Sequence, residues 1–284
     1  MSTKSSKART RTGDIIVYLI TGIFTLLTII PVWWIVNKSL SKTSTLTSTN
    51  LNLLPEGGVT LGNFAKVFQD KDFTLWFKNS MIFSVSTTLI VIVFATMAAY
   101  AFARFSFPGK NGILTGFLIY MMLPTTVAMI AQYYIWNKLG LLNSYPGMII
   151  IYIAGNMTFT IWLLKGYFDT IPKSLEEAAI IDGASKLAVF TKIILPLSTP
   201  AIAVCALFAF IAPWTDYITA WIFISDPSKY TLAMGLYGWV SDPRNIPWNL
   251  FAAGSLIVAL PIAILYFVFQ NYIVSGLTAG GVKG

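Results

Sequence analysis

Six long apolar runs, at about 15–36, 80–103, 113–131, 145–164, 199–222 and 250–273, restrict this chain more than any other feature. Crossing a hydrocarbon layer about 30 Å thick takes roughly 20 apolar residues in helix. The runs are long and do not alternate, which predicts helices rather than barrel strands, whose signature is short segments of period two. Composition agrees: 56% of residues are hydrophobic and only 11% are charged, which excludes an ordinary soluble domain. The expectation is an all-α integral membrane protein with six transmembrane helices.

Basic residues orient it. Lys4, Lys7, Arg9 and Arg11 precede the first run against Asp14 alone, which places the N-terminus inside. Six spans then return the C-terminus to the cytoplasm, together with the segments that carry Arg104, Lys110, Lys165, Lys173, Lys186 and Lys192. The net charge of +8 reads as orientation, not nucleic-acid binding. The first run is too long for a cleavable signal peptide and ends at Pro31, Trp33 and Trp34 without a small-residue cleavage site.

Catalytic chemistry finds little support. Histidine is absent, the single Cys205 reads as packing inside the fifth span, and no acidic or thiol cluster has metal-ligand spacing. No phosphate-binding loop is present, so the chain is expected neither to bind nor to split ATP, and to hold no metal.

Within the spans, small residues recur every fourth position at Ala95, Ala99 and Ala103 and at Ser255, Ala259 and Ala263, a pattern for close helix packing in lipid. Ser84 with Thr88 and Asn156 with Thr160 are each one turn apart; they serve interhelical hydrogen bonds or line a hydrated path. Asp216, beside Pro213 and Trp214, is either a functional intramembrane acid or a group in a water-filled outer vestibule. Between the first two spans, a Ser/Thr-rich stretch gives way to Phe64, Val67, Phe68, Phe73, Leu75, Trp76 and Phe77, which read as a segment lying on the membrane or on another subunit. The loop from about 223 to 249 is long enough to meet an extracellular partner.

A soluble-looking stretch, EAAIIDGASKLAVFTKIILP, interrupts the apolar pattern at residues 177–196. Ser174 followed by Glu177 has capping-box spacing for a helix start, Ala178 and Ala179 leave room for another protein's surface, and Gly183 suits a left-handed helix stop. Pro196 and Pro200 mark the approach to the next span. Glu177 reads as a cap, as a carboxylate offered to a basic partner, or as both, and Asp182 as a group stabilising the turn.

Glu177, Ala178, Ala179, Gly183, Ile193, Leu195 and Pro196 together match the signature that resembles permease subunits of bacterial ATP-binding-cassette (ABC) importers. NFAKVF, WFKNS, AFARFSFPGKNG and the C-terminal QNYIVSGLTAGGVKG extend the likeness to carbohydrate importers. The tail and DPRNIPWNLFAAGSLIVALPI are most similar to the smaller maltose/maltodextrin permease, the MalG type. That resemblance implies the type I ABC importer permease fold in a bacterial cell membrane. It implies a larger permease as heterodimer partner, two copies of an ATPase that binds the ATP and magnesium, and an extracellular sugar-binding protein.

By the same resemblance, Glu177, Ala178, Ala179, Asp182, Gly183, Ile193, Leu195 and Pro196 couple to the ATPase. Gly280, Gly281 and Lys283 lie in a tail reaching toward it, and Ser241, Asp242, Pro243, Arg244 and Asn245 approach the binding protein. Ser84, Thr88, Asn156, Thr160 and Asp216 are the candidate cavity-lining residues. The expected organisation is a basic tail at 1–14, the first span at 15–36, an outer loop at 37–75, a permease core at 76–273 with its coupling loop at 165–198, and a C-terminal tail at 274–284. The function implied is sugar import by alternating access, maltose or maltodextrin first and another oligosaccharide next. An ion-coupled carrier would need intramembrane relay residues that the sequence does not supply.

Overall fold

The computed structural model describes residues 3–44 and 54–279. In chain order the helices are α1 (Thr3–Ser39), α2 (Gly62–Gln69), α3 (Lys71–Arg104), α4 (Lys110–Met122), α5 (Thr125–Lys138), α6 (Tyr145–Thr170), α7 (Lys173–Ile181) and α8 (Lys186–Val189). After a π-helical turn at Phe190–Ile194 come α9 (Leu195–Leu197), α10 (Thr199–Thr215), α11 (Ile218–Phe223), a 3-10 turn at Pro227–Lys229, α12 (Leu232–Val240) and α13 (Trp248–Ala279). Extended pairing among the described residues is limited to one antiparallel bridge, Ser41 to Val59.

Four helices are continuous, apolar and long enough to span: Gly13–Ser39 within α1, then α3, α6 and Trp248–Tyr272 within α13. Two further apolar stretches cross only as bent pairs. The third expected span, 113–131, is broken at Leu123–Pro124 into α4 and α5, because proline lacks the amide proton a continuing helix would use. The fifth is kinked by 76° between Lys186–Leu197 and Thr199–Thr215 and stops at Thr215, so 199–222 is not one helix.

The chain divides into two compact units. In the first, residues 1–70 with 238–257, Lys38 pairs with Glu56 at 3.2 Å and Thr43 donates to the same carboxylate. The buried Asn63 amide donates to the carbonyls of Ser39 and Ser41 and accepts from Asn249. Val67 is buried here, contrary to the expectation that it rests on the membrane or on a partner, whereas Phe68 stays open. The apolar part of α1 is exposed along its length, as suits a helix facing lipid or another chain.

In the second unit, residues 71–237 with 258–284, α3, α6 and α10 pack around Val91, Ala95, Ala99, Ile161, Leu164, Phe168, Cys205 and Ala209. Ala95 and Ala99 are fully buried, so the small-residue ridge in α3 does bring helices close. Phe73 is also buried, a second departure from the surface segment expected there. A second cluster joins Phe83, Met148, Ile151 and Tyr152 to Phe223 and Met234. Gly235 lies so close to Trp76 that a Cβ would fall 2.0 Å from its ring.

Candidate functional site

The coupling segment folds as a helix, a left-handed turn and a second helix. Pro172 caps the start of α7 with φ −59° and ψ 129°, and no side chain bonds the first amides. The expected Ser174–Glu177 capping box is therefore absent: the helix begins one residue after the proline, which leaves Ser174 inside its first turn. At the other end Gly183 has φ +88°, its amide donates to Ile180 and the amide of Ala184 donates to Ala179. Those two bonds form a Schellman motif, whose left-handed residue is most easily a glycine because a Cβ is strained there. Ser185 then caps α8 by accepting from the Ala188 amide at 3.2 Å.

Glu177, Ala178, Asp182, Ile181 and Leu187 are exposed, Ala179 and Ile193 half-buried, and Leu195 and Pro196 sit at the end of the π turn. Two large aliphatic side chains of the same helix–turn–helix unit, Ile181 at 85% and Leu187 at 70% exposure, stand open. An apolar patch rimmed by charge is a protein-docking surface more often than a bare one. The buried acid of α7 is Glu176, which no motif in the sequence singles out: its carboxylate pairs with Arg104 at the end of α3 and accepts from the Tyr100 hydroxyl at 2.9 Å. The clue available was Arg104 itself, a cation closing an apolar helix and needing a partner.

The second site is a cavity of about 360 Å³ lined by Tyr120, Gln132, Tyr152, Gly155, Asn156 and Asp216, with α4, α5, α6 and α10 contributing walls. Asp216 stands where the fifth apolar run leaves its helix, not inside a continuous span. It ends α10 in extended geometry, and its carboxylate accepts from Tyr152 and from the Thr219 hydroxyl at 3.0 Å each, and from the amides of Thr219 at 3.4 Å and Ala220 at 3.0 Å. It thereby satisfies the first amides of α11.

Of the other candidate lining residues, Asn156 reaches the cavity while its amide nitrogen donates to the Tyr152 carbonyl. Ser84, Thr88 and Thr160 do not line it; Thr88 and Thr160 donate to carbonyls one turn back, and the buried Ser84 hydroxyl has no partner among the described residues. Such hydroxyl-to-carbonyl bonds are the usual way a helix in lipid satisfies its own polar side chains.

Elsewhere in the second unit, Asn79 donates to the carbonyls of Ser228 and Tyr230 and accepts from Tyr145, while Asn143, at φ +56°, accepts the amides of Ser225 and Asp226. Hydrogen bonds from Lys229 and Ser228 hold the Asp226 carboxyl down at about 2. In the first unit, Ser241, Asp242, Pro243, Arg244 and Asn245 are all exposed, and Asp242 accepts from the Arg244 amide at 3.1 Å. Gly280, Gly281 and Lys283 lie outside the described residues. No group of acidic or thiol side chains among the described residues could hold a metal ion.

Residues 91–278 match the family described as binding-protein-dependent transport system inner membrane component. The maltodextrin transport permease MdxG of Bacillus subtilis is 38% identical over 260 residues, covering 92% of this chain and 94% of its own length. The galactooligosaccharide permease GanQ of the same organism is 37% identical, covering 94% of each. The maltose/maltodextrin permease MalG of Escherichia coli K12 is 41% identical over 216 residues, 74% of this chain and 72% of MalG. Among solved structures, a bacterial ABC transporter that imports the acidic polysaccharide alginate superposes with a TM-score of 0.79 at 26% identity, covering 96% of this chain and 99% of that one.

Proposed function

The chain belongs to the family of binding-protein-dependent transport system inner membrane components, and from that membership we propose that it imports maltodextrins as one of two unlike permease subunits. It is a transport subunit of a sugar ABC importer, not an enzyme, and works with an ATPase and a binding protein. The larger permease as its partner, and a bacterial plasma membrane with both chain ends inside, complete the proposal; the four basic residues ahead of the first span support that orientation.

The single observation that carries the mechanism is the exposed α7–turn–α8 unit, with Glu177, Ala178 and Ile181 open to a partner. ATP-driven closure of the ATPase pair moves this unit, and the helices attached to it carry the cavity from one side of the membrane to the other. Such coupling requires that nucleotide and loaded binding protein favour the same state of the permease. Gln132, Asn156 and Tyr152 bring polar groups suited to sugar hydroxyls to the path, while Asp216 holds Tyr152 and the start of α11 in place. Ser241 to Asn245 serve as the contact with the binding protein, and the tail with Gly280, Gly281 and Lys283 reaches the ATPase.

Maltodextrin is preferred because relatives named for it match at 38–41% identity; a galactooligosaccharide is the second reading, supported by GanQ at 37%. The test is ATPase activity of the purified complex with its binding protein. Stimulation by maltotriose and not by galactotriose is expected; the reverse would transfer the assignment to galactooligosaccharides.

A further inference from the structure

Glu176 is the one buried residue of α7, at 8% exposure, so the deepest anchor of this helix is a charge, with the half-buried Ala179 the apolar side chain of α7 that packs against the core beside it. The carboxylate is fully engaged. One oxygen pairs with Nε of Arg104 and the other accepts from Tyr100 at 2.9 Å. Arg104 continues the chain of contacts: its Nη2 donates to the carbonyl of Ile171, the residue that ends α6, at 3.0 Å. Tyr100 packs its ring against Phe168 of α6 and, at 4.8 Å between centroids, against Phe190 in the π turn after α8. One buried cluster therefore ties the ends of α3 and α6 to both sides of the coupling turn.

A buried ion pair is weak evidence for stability, since desolvation of the two charges offsets most of their attraction. It is strongly directional, however, and its guanidinium fork fixes relative orientation where a slippery apolar contact would not. We propose that Glu176, Arg104 and Tyr100 form the strut that transmits movement of α7 to α3 and α6. Glu176 and Arg104 are positioning residues for coupling, distinct from the exposed Glu177 that faces the partner. The inference rests on the ATP-driven reading above.

The test follows cavity exposure, which does not depend on which sugar is carried. A reporter, Gly155→Cys, places a thiol on the cavity wall where an added Cβ meets nothing within 4 Å, and the native Cys205 is buried. In the full complex, labelling by a membrane-impermeant maleimide is compared with and without a non-hydrolysable ATP analogue. With the strut intact the analogue should change the labelling rate; no change there would defeat the ATP-driven reading itself.

In Arg104→Gln the ATPase should still co-purify, while the nucleotide-dependent change in labelling falls about ten-fold. A merely structural role would lower the yield of complex and leave the response of assembled complexes intact. A full response in assembled Arg104→Gln overturns the strut. If that variant does not assemble, Glu176→Gln, which keeps side-chain volume and an acceptor for Tyr100, decides by the same criterion. Failure of both to assemble would make the cluster a folding element and also overturn the proposal.

Discussion

Tyr152 donates its hydroxyl hydrogen to Oδ2 of Asp216 across 3.0 Å, tying the middle of α6 to the break between α10 and α11 at the cavity wall. The acid that looks functional by its place in an apolar run is thus committed to holding a helix start. A carboxylate with its acceptor sites filled by a hydroxyl pair and two amides is poorly placed to relay ions.

Asp216→Ala should therefore act first on stability. Loss of the side chain that bonds the first amides of α11 costs about 1 kcal/mol, as for a capping residue, and an unpaired Tyr152 hydroxyl adds about 1–3 kcal/mol. Asp216→Asn keeps an acceptor for α11 and should reduce uptake by less than about ten-fold, roughly 1.4 kcal/mol in the limiting step. Thermal melting of the complex and initial uptake rates check both; a larger loss of uptake in Asn than in Ala would contradict the capping role.

At Gly183 the demand is purely conformational, because the site has φ +88° and an added Cβ would meet nothing within 4 Å. Gly183→Ala should cost about 1–2 kcal/mol in the turn, and Gly183→Val more. Gly183→Asn should retain most coupling, since Asn tolerates the left-handed region. Uptake and sugar-stimulated ATPase in the three variants should rank Asn above Ala above Val; equal activity would refute the need for this turn.

Glu177 is exposed and caps nothing, so its substitution should leave melting within about 0.5 kcal/mol of the parent. Docking is another matter. Glu177→Lys should weaken ATPase co-purification more than Glu177→Gln, because it sets like charge against a basic partner. Equal and small losses would remove Glu177 from the interface.

The Asp226 loop supplies a pH prediction. Its carboxyl is held at about 2 by Lys229 and Ser228, below the ordinary carboxylate value near 4. A depressed folded value means the stabilisation is complete above the ordinary value and is lost as pH falls through about 2. The carboxylate infrared band removed by Asp226→Asn should therefore persist at pH near 3; protonation near 4 would contradict the hydrogen-bonded geometry.

How far these features are readable from residues alone depends on the physics behind each. The spans were legible because hydrocarbon thickness sets a length that few other constraints mimic. The breaks at Leu123–Pro124 and at Asp216 were not, since hydropathy does not register a bend inside an apolar run. Gly183 was legible, as only a left-handed turn makes a glycine there informative. Glu176 and Glu177 illustrate the limit: neighbours on a helix point about 100° apart, and choosing the buried one requires knowing where Arg104 ends. The same holds for Ser84 and Thr160, whose types suit a polar path but which are buried and are not among the residues that line this cavity; Thr160 lies one turn beyond Asn156 on the same face of α6.

The central claim is that ATP, acting through α7, drives sugar across the membrane. The most direct measurement is maltotriose uptake into vesicles that contain the reconstituted complex, with ATP held constant on the ATPase side and binding protein on the other, with and without a proton ionophore. Uptake should require ATP, persist with the ionophore present, and fail when the ATPase carries an inactivating substitution. Collapse on adding the ionophore while ATP stays constant, with indifference to the inactive ATPase, would contradict the account and leave an ion-coupled carrier in its place.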